Sequence, residues 1–351
     1  MRIVKDILLN SAEEGTRFDY GVVGLGKTGR SMVDFLLSQG FSVLGADSCT
    51  QSSNVDQFLD RYPDVPVLLG GSNFDLLSTC EELILSPGVD RRSDIFKNVR
   101  VAEYKIKGDM EVFSDYANAP VIGITGTNGK STVTTMVSLM LAAAGLKVRC
   151  GGNLGTPAIE LLEEEVPDCY VLELSSFQLD LVENLKLDVA CILNVTADHL
   201  DRHKTFDCYL KIKKKILKNS KCSLVNSGDE SLACLVNRRE IKGFSQKNPS
   251  KSGYGIRSRD GTRFLGSVSR EFLAVEELGL VGDHNYLNSI AALGIVDIFL
   301  GSVPDLAIQA LKQFRGLPHR GQVIGQKSGV EFIDDSKATN TAAALASILS
   351  I

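Results

Sequence analysis

PVIGITGTNGKSTVTTMVSLMLAAAGLKV, Pro120 to Val148, decides how this chain is read. An apolar run, Val121 to Ile124, has the composition of a buried strand. It enters a polar turn, Thr125-Gly126-Thr127-Asn128-Gly129-Lys130-Ser131-Thr132. Apolar residues then recur at Val133, Met136, Val137, Met140, Leu141 and Ala144, the spacing of one buried helix face. Gly145 stands where a C-terminal cap belongs. Strand, glycine turn and helix together build a phosphate cradle, because backbone N–H groups converge there and the helix dipole favours an anion. Lys130, read as lying on a solvent-facing turn, can reach the β- and γ-phosphates of a nucleotide, and Ser131 or Thr132 can hold Mg²⁺. Strict P-loop spacing places glycine at 124, where Ile124 stands, so the loop is a variant. The plain alternative is an ordinary strand-to-helix turn, against which Gly-Lys-Ser-Thr at a helix start argues.

The rest of the composition is that of a globular protein. The 351 residues are 44% hydrophobic and 23% charged, enough for two or three domains. A net charge of −5 argues against wholesale nucleic-acid binding. The first twenty residues carry Arg2, Lys5, Asp6, Glu13, Glu14, Arg17 and Asp19, which is not a signal-peptide pattern. No apolar run reaches membrane-spanning length. The eight cysteines form no CxxC pair; they read as reduced core thiols, and the reading places the protein in the cytoplasm.

Upstream, a strand from Tyr20 to Val23 precedes Gly24-Leu25-Gly26-Lys27-Thr28-Gly29, a helix to about Ser38, and a strand from Phe41 to Ala46 ending at Asp47. Taken alone, GxGxxG with an acid at the second strand tip suggests a dinucleotide site. A strand from Glu82 to Leu85 runs into Ser86-Pro87-Gly88. Downstream, strands at Lys147–Cys150, Tyr170–Leu174 and Val189–Val195 alternate with helices, a mostly parallel, doubly wound pattern. Short alternating strands follow between Ser223 and Glu277, and a last strand, Val330 to Ile333, precedes the start of a helix. That final stretch cannot bury a core, so a third domain is expected to be cut short. The expected architecture is α/β, with a Rossmann-like N-terminal domain over 1–107. A P-loop-type, doubly wound central ATPase domain covers 108–316, and a hinge with the start of a truncated C-terminal domain covers 317–351. The basic stretch Lys211 to Lys218 reads by default as a solvated lysine face over an apolar stripe.

Two further strand ends carry chemistry. Glu173, after the run Tyr170 to Leu172, stands where a second Mg²⁺ ligand belongs beside a phosphate loop. His199 lies in Asn194-Val195-Thr196-Ala197-Asp198-His199-Leu200-Asp201-Arg202, and could equally be a capping residue. Of the four histidines, 199, 203, 284 and 319, three fall in motif-like contexts.

Six motifs in order carry a resemblance. They are GTNGKST, Glu173-Leu174-Ser175-Ser176-Phe177-Gln178-Leu179, Asn194 to Arg202, Gly282-Asp283-His284-Asn285-Tyr286-Leu287-Asn288, Gly316-Leu317-Pro318-His319-Arg320 and Asp335-Ser336-Lys337-Ala338-Thr339-Asn340. From about Tyr20 to Asn340 the chain resembles the Mur ligases, and among them the branch that adds D-glutamate. The resemblance implies an ATP-dependent, amide-forming enzyme of cell-wall synthesis, monomeric, with UDP-N-acetylmuramoyl-L-alanine, ATP and D-glutamate as partners. By this likeness Gly126, Thr127, Asn128, Gly129, Lys130, Ser131 and Thr132 cradle the phosphates. Ser131 or Thr132 with Glu173 holds a first Mg²⁺, and His199 belongs to a second. Tyr209-Leu210-Lys211-Ile212-Lys213 matches the family's Tyr-x-x-x-Lys, which makes Lys213 the carbamylated lysine, with Lys211, Lys214 and Lys215 leaving the register open. Asn285 and Asn288 are implied at adenine. Arg320, Asp335, Lys337 and Thr339 are implied near the ATP or the catalytic centre. Lys27, Thr28, Asp47 and Ser48 match the uridine-diphosphate contacts, which reassigns Asp47 from a dinucleotide. Pro87, Gly88, Asn153 and Ser175 match positions near the muramyl-peptide arm.

Two departures stand out. Gly321-Gln322 replace the family's large apolar residue and Glu after His319-Arg320, which leaves the hinge packing open. The truncated end implies a chain that binds the UDP substrate and ATP without completing ligation, or a catalytically incompetent nucleotide-binding fragment. An NAD-dependent oxidoreductase leaves GTNGKST unexplained. A folylpolyglutamate synthase would not need a UDP-binding first domain.

Overall fold

The computed structural model describes residues 17–71, 73–100, 105–162, 165–236, 240–249, 253–280 and 282–348. They fall into two compact units. The first takes its residues from Met1–Ala117, Gly155–Glu165 and Phe177–Leu185, the second from Asn118–Leu154, Val166–Ser176 and Lys186–Ile351. The charged residues Arg2, Lys5, Asp6, Glu13 and Glu14, which argue against a signal peptide, lie outside the described residues.

The first unit is a five-stranded sheet of β1 (Phe18–Val23), β2 (Val43–Asp47), β3 (Val67–Leu69), β4 (Cys80–Leu85) and β5 (Ile106–Gly108). Its order is β3-β2-β1-β4-β5 and every pairing is parallel, the Rossmann-like arrangement. Helices α1 (Lys27–Ser38), α2 (Ser53–Arg61) and α3 (Asp109–Tyr116) accompany it. Successive strand residues point to opposite faces, so Val22 joins Met32, Val33 and Phe58 in one core while its neighbour Val23 joins Leu44, Leu83 and Phe74 in another. Gly29 is required where α1 meets the end of β1: a Cβ there would lie 1.9 Å from the Gly24 carbonyl oxygen. The returns at 155–165 and 177–185 add Ile159 and Leu181 to these two cores.

One buried acid in this unit sets a pH dependence. Asp109 opens α3 with 3% of its surface exposed and accepts a hydrogen bond from Gln178 Nε2 at 2.9 Å. Burial pushes its carboxyl up to about 6. A folded-state value above the unfolded one means the folded form holds the extra proton. The protonated acid's stabilisation is therefore complete below about pH 4 and lost as pH rises through about 6. Asp109→Asn is expected to raise the melting temperature relative to wild type at pH 7.5 and to leave it unchanged at pH 4, a difference on the order of 2 kcal/mol. Melting curves offset equally at both pH values would contradict this.

The second unit holds β6 (Val121–Thr125), β7 (Val148–Gly152), β8 (Cys169–Glu173), β9 (Leu187–Ile192), β10 (Ser220–Asn226), β11 (Ile241–Phe244), β12 (Tyr254–Arg259), β13 (Thr262–Ser267) and β14 (Glu271–Ala274). The order is β14-β13-β12-β11-β10-β9-β6-β8-β7. The strands from β7 to β12 pair in parallel; β13 and β14 add an antiparallel edge. After β6 comes α4 (Lys130–Ala143), whose Val133, Met136, Val137, Met140 and Leu141 are buried as their spacing predicts. Each such side chain contributes about 1.5–3 kcal/mol. Ala144 is the C-cap, and Gly145 follows at φ 94°, its N–H donating to Ala142 O. Short helices α5 (Ser176–Asp180) and α6 (Leu200–His203) follow β8 and β9. Then come α7 (Phe206–Lys214), α8 (Glu230–Ala233), α9 (Asp283–Leu300) and α10 (Asp305–Gln313). A hairpin of β15 (Gln322–Lys327) and β16 (Val330–Asp334) precedes α11 (Thr341–Ile348).

The cysteine reading needs correction. All eight are free thiols, but only Cys80, Cys169 and Cys191 are buried, while Cys49, Cys208 and Cys234 are exposed. Burial pushes Cys80 and Cys169 up to about 12 and raises Cys191 as well.

Candidate active site

β6 is buried along its whole length and lies between β8 and β9, so the turn leaving it opens between two neighbouring strand ends. Gly129 takes φ 83° immediately before α4. A Cβ there would also lie 2.5 Å from Asn288 Oδ1, so the glycine admits both the left-handed turn and the Asn288 carboxamide from α9. The loop's back is fastened to the segment after β9. Thr127 N–H donates to Asn194 O at 3.0 Å and Asn128 N–H to Asn194 Oδ1 at 2.9 Å. Asn194 Nδ2 returns a bond to Asn128 O at 3.0 Å, and Thr196 N–H donates to Thr127 Oγ1 at 3.0 Å. Asn194 and Thr196 therefore shape the loop, a use their motif did not announce.

The β6–β8 register sets Glu173 beside Ile124, one residue short of the end of β6. Ser131 Oγ donates to Glu173 Oε2 at 2.7 Å, and Asn153 Nδ2 donates to Oε1 at 2.6 Å. Of the two hydroxyls left open, Ser131 is thus the one bonded to the carboxylate. Arg320 NH2 donates to Ser131 Oγ at 3.2 Å. Lys130 departs from the solvent-facing reading. It is half-buried, and Nζ folds back to donate to Gly126 O at 3.0 Å and Thr127 O at 2.8 Å. Burial holds its ammonium below the usual lysine range.

Lys213 departs further from a solvated face: it is 1% exposed, whereas Lys211 is exposed and Lys214 and Lys215 are half-buried. Helix α7 starts at the Thr205 cap, whose hydroxyl accepts from Cys208 N–H. That phase turns Tyr209, Ile212 and Lys213 inward. Lys213 Nζ donates to Gly126 O at 2.9 Å and sits 4.8 Å from the Tyr209 ring centroid. Burial first, and the Lys130 charge second, hold Lys213 well below the usual lysine range. Tyr209 OH meets Thr127 Oγ1 at 3.1 Å, and burial pushes the phenol up to about 12. His199 takes φ 51°, with its ring about half exposed and Nε2 3.9 Å from Asp198 Oδ2.

The segment after α10 belongs to the same unit. His319 Nδ1 meets Asp334 Oδ2 at 2.6 Å, a contact that holds Asp334 down at about 2. Gly321, a departure from the family pattern, takes φ 60° and donates its N–H to Asp335 Oδ1 at 3.0 Å, and Gln322 Oε1 accepts from His319 N–H. The departing residues thus bond within their own turn. Asn340 Nδ2 donates to Asn128 Oδ1 at 3.1 Å and to Asp198 Oδ2 at 3.2 Å. Lys337 and Thr339 are exposed, and Lys337 N–H donates to His319 O. Asn285 lies in the first turn of α9, its N–H donating to Gly282 O. The half-buried hydroxyl-bearing Ser175 follows Glu173 by two residues, and Thr132 is buried.

In the first unit, Asp47 Oδ2 accepts from Leu25 N–H at 2.8 Å and Oδ1 from Cys49 N–H at 2.9 Å, so this acid pins the glycine turn. Ser86 Oγ donates to Gly24 O at 2.7 Å. Lys27 Nζ donates to Gly155 O at 2.6 Å. Thr28 and Pro87 are half-buried, and Ser48 and Gly88 exposed, around the C-terminal ends of these strands. That is where ligands bind in open α/β sheets.

A variant phosphate loop with a buried carboxylate at the adjoining strand end defines a P-loop-type α/β unit. The comparisons narrow the class. Residues 124–296 match the Mur ligase middle domain, and residues 19–108 match the Mur ligase MurD-like, N-terminal domain. The chain belongs to the Mur ligase family. It is 40% identical over 328 residues to the UDP-N-acetylmuramoylalanine--D-glutamate ligase of Nitrosococcus oceani, covering 93% of this chain and 72% of that relative. The enzyme of the same name from Legionella pneumophila is 39% identical over 334 residues, covering 94% and 74%. Among solved structures, a pseudomurein peptide ligase type C from Methanothermus fervidus aligns with TM-score 0.57 and 22% identity, covering 95% of this chain and 77% of that one. MurF ligase from Thermotoga maritima, in complex with ADP, aligns with TM-score 0.55 and 20% identity, covering 96% and 72%. These two likenesses concern the fold.

Proposed function

We propose that this protein joins D-glutamate to UDP-N-acetylmuramoyl-L-alanine at the expense of ATP, in peptidoglycan synthesis. One observation carries the reading: relatives bearing that activity in their name align with 93% of the chain at 40% identity. A carboxylate is a poor electrophile, so the substrate carboxylate oxygen attacks the γ-phosphorus and ADP leaves. The glutamate amine then attacks the acyl-phosphate carbon, and phosphate departs with the former carboxylate oxygen as a proton leaves the nitrogen. Two anions must approach each other, and fixed cations offset their repulsion. On this reading Lys130 unfolds from the loop carbonyls onto the β- and γ-phosphates, with Arg320 beside them. The remaining loop residues, Gly126 to Gly129 and Thr132, present N–H groups to the phosphates.

Ser131 and Glu173 offer adjacent oxygen donors, which suit Mg²⁺. Among the described residues no group of three His, Cys, Asp or Glu side chains could hold a metal, so such an ion would take its other oxygens from phosphate and water. When bound, Mg²⁺ neutralises charge on the transferring phosphoryl group. His199 and a carbamylated Lys213 are proposed for a second Mg²⁺. The burial of Lys213 supports this, since only a neutral amine adds CO₂. Asn285 and Asn288 are assigned to adenine, and Asp335, Lys337 and Thr339 to the approach of the hinge. Lys27, Thr28, Asp47 and Ser48 are assigned to the uridine nucleotide, and Pro87, Gly88, Asn153 and Ser175 to the peptide arm. The matched spans, 19–108 and 124–296, support domains of 1–107 and 108–316, and 317–351 is proposed as a hinge segment beyond them. We take the protein as a cytoplasmic monomer; among the described residues no helix is long and apolar enough to cross a membrane. No finding favours the incompetent-fragment or oxidoreductase readings.

Glu173→Gln is expected to raise the Mg²⁺ concentration needed for half-maximal ATP binding about tenfold or more, while His199→Ala mainly slows turnover. Identical Mg²⁺ titrations for both variants and wild type would count against separate metal roles. The reading as a whole is tested by phosphate release from ATP with UDP-N-acetylmuramoyl-L-alanine, with and without D-glutamate. Release that ignores either substrate would reject it.

A further inference from the structure

His203 is the one histidine outside the recognised motifs, yet it is 1% exposed. Its Nε2 and Ser176 Oγ share a hydrogen bond at 3.0 Å. Its ring lies 5.4 Å from the Tyr209 ring, tilted by 41°. Ser176 follows Glu173 by three residues and begins α5, while Tyr209 precedes Lys213 by four and shares its helix face. Tyr209 also reaches the phosphate loop through Thr127, and Lys213 through Gly126 O. Glu173 and Lys213 therefore sit on separate elements, and His203 touches a neighbour of each.

We infer that His203 is a positioning residue, which holds the Glu173 strand end and the Lys213 helix at a fixed separation through Ser176 and Tyr209. The inference rests on the ligase reading above. An apolar filler would serve packing equally well, but a buried imidazole bonded to a buried hydroxyl fixes direction as well as volume. A loss of alignment between the two sides slows phosphoryl transfer without emptying the nucleotide site.

The test compares His203→Phe, His203→Gln and Ser176→Ala in the full chain. His203→Phe keeps a ring against Tyr209 and loses the Ser176 bond. Its kcat is expected to fall on the order of tenfold, with the KM for ATP within about twofold of wild type. Ser176→Ala, a small change that spares the fold, should fall by a similar factor, and the double variant no further. His203→Gln keeps a group able to donate to or accept from Ser176 and should recover most of the rate. Carbon-13 NMR after equilibration with labelled bicarbonate gives a readout apart from turnover: the Lys213 carbamate signal should weaken in His203→Phe and Ser176→Ala and persist in His203→Gln. Wild-type kcat and full carbamate signal in both loss variants would overturn the inference while leaving the ligase reading standing. So would rate losses that merely follow the melting temperature. A wild-type protein with neither turnover nor carbamate would overturn both.

Discussion

Lys213→Met should leave a folded protein whose ligation is slower by on the order of 10³-fold or more. The lysine is buried with its ammonium against the Gly126 carbonyl, and Lys130 adds repulsion. A lysine with an ordinary value near 10.4 needs about 4.6 kcal/mol of shift or product stabilisation to be half neutral at pH 7. Burial supplies part of that shift, and the neutral amine is the form that reacts with CO₂. Methionine preserves the volume, so no large cavity opens, and removing a buried charge offsets the lost hydrogen bond. The melting temperature should therefore stay near that of wild type. A short carboxylic acid added in solution should restore part of the rate by occupying the carbamate's place. Wild-type turnover in Lys213→Met would reject the assignment, because a packing role alone survives this substitution.

Lys130→Ala should cost on the order of 10²-fold in rate and weaken ATP binding measurably in calorimetry. In the structure Nζ caps the carbonyls of Gly126 and Thr127. Gly126 and Thr127 are buried, but Gly126 O keeps its bond from Lys213 Nζ at 2.9 Å, and Asn194 and Thr196 still fasten the loop, so the fold should be retained. The lost charge contact to the transferring phosphoryl group is worth a few kcal/mol in a site that excludes water. Unchanged ATP affinity and rate would mean that the loop is not a phosphate cradle.

These residues were legible in the sequence to different depths, for physical reasons. The α4 face was plain, because five large apolar side chains at helical spacing have one way to be buried. The glycines of the loop announced a backbone turn, and φ 83° at Gly129 is that turn. Burial of Lys213 was not legible: four lysines in five residues look solvated, and only the Thr205 cap fixes which one turns inward. The expected strand to Val195 stops at Ile192, because Asn194 leaves the ladder to clamp the phosphate loop. β15 left no trace, since all six of its residues are exposed and no alternation marks a buried side. β3 and β5, of three residues each, are too short for a period. The returns at 155–165 and 177–185 depend on contacts distant in sequence, which no local pattern carries. Asp47 was visible as an acid at a strand tip, but its pairing with Leu25 N–H needed coordinates.

The central claim is that this site activates a carboxylate by phosphorylation, and oxygen transfer tests it most directly. UDP-N-acetylmuramoyl-L-alanine labelled with oxygen-18 in its terminal carboxylate should be incubated with the protein, ATP, Mg²⁺ and D-glutamate. The released phosphate should then be analysed by mass. The account predicts one labelled oxygen in each phosphate formed with product. Phosphate carrying no label, or released at the same rate without the UDP substrate, would contradict it.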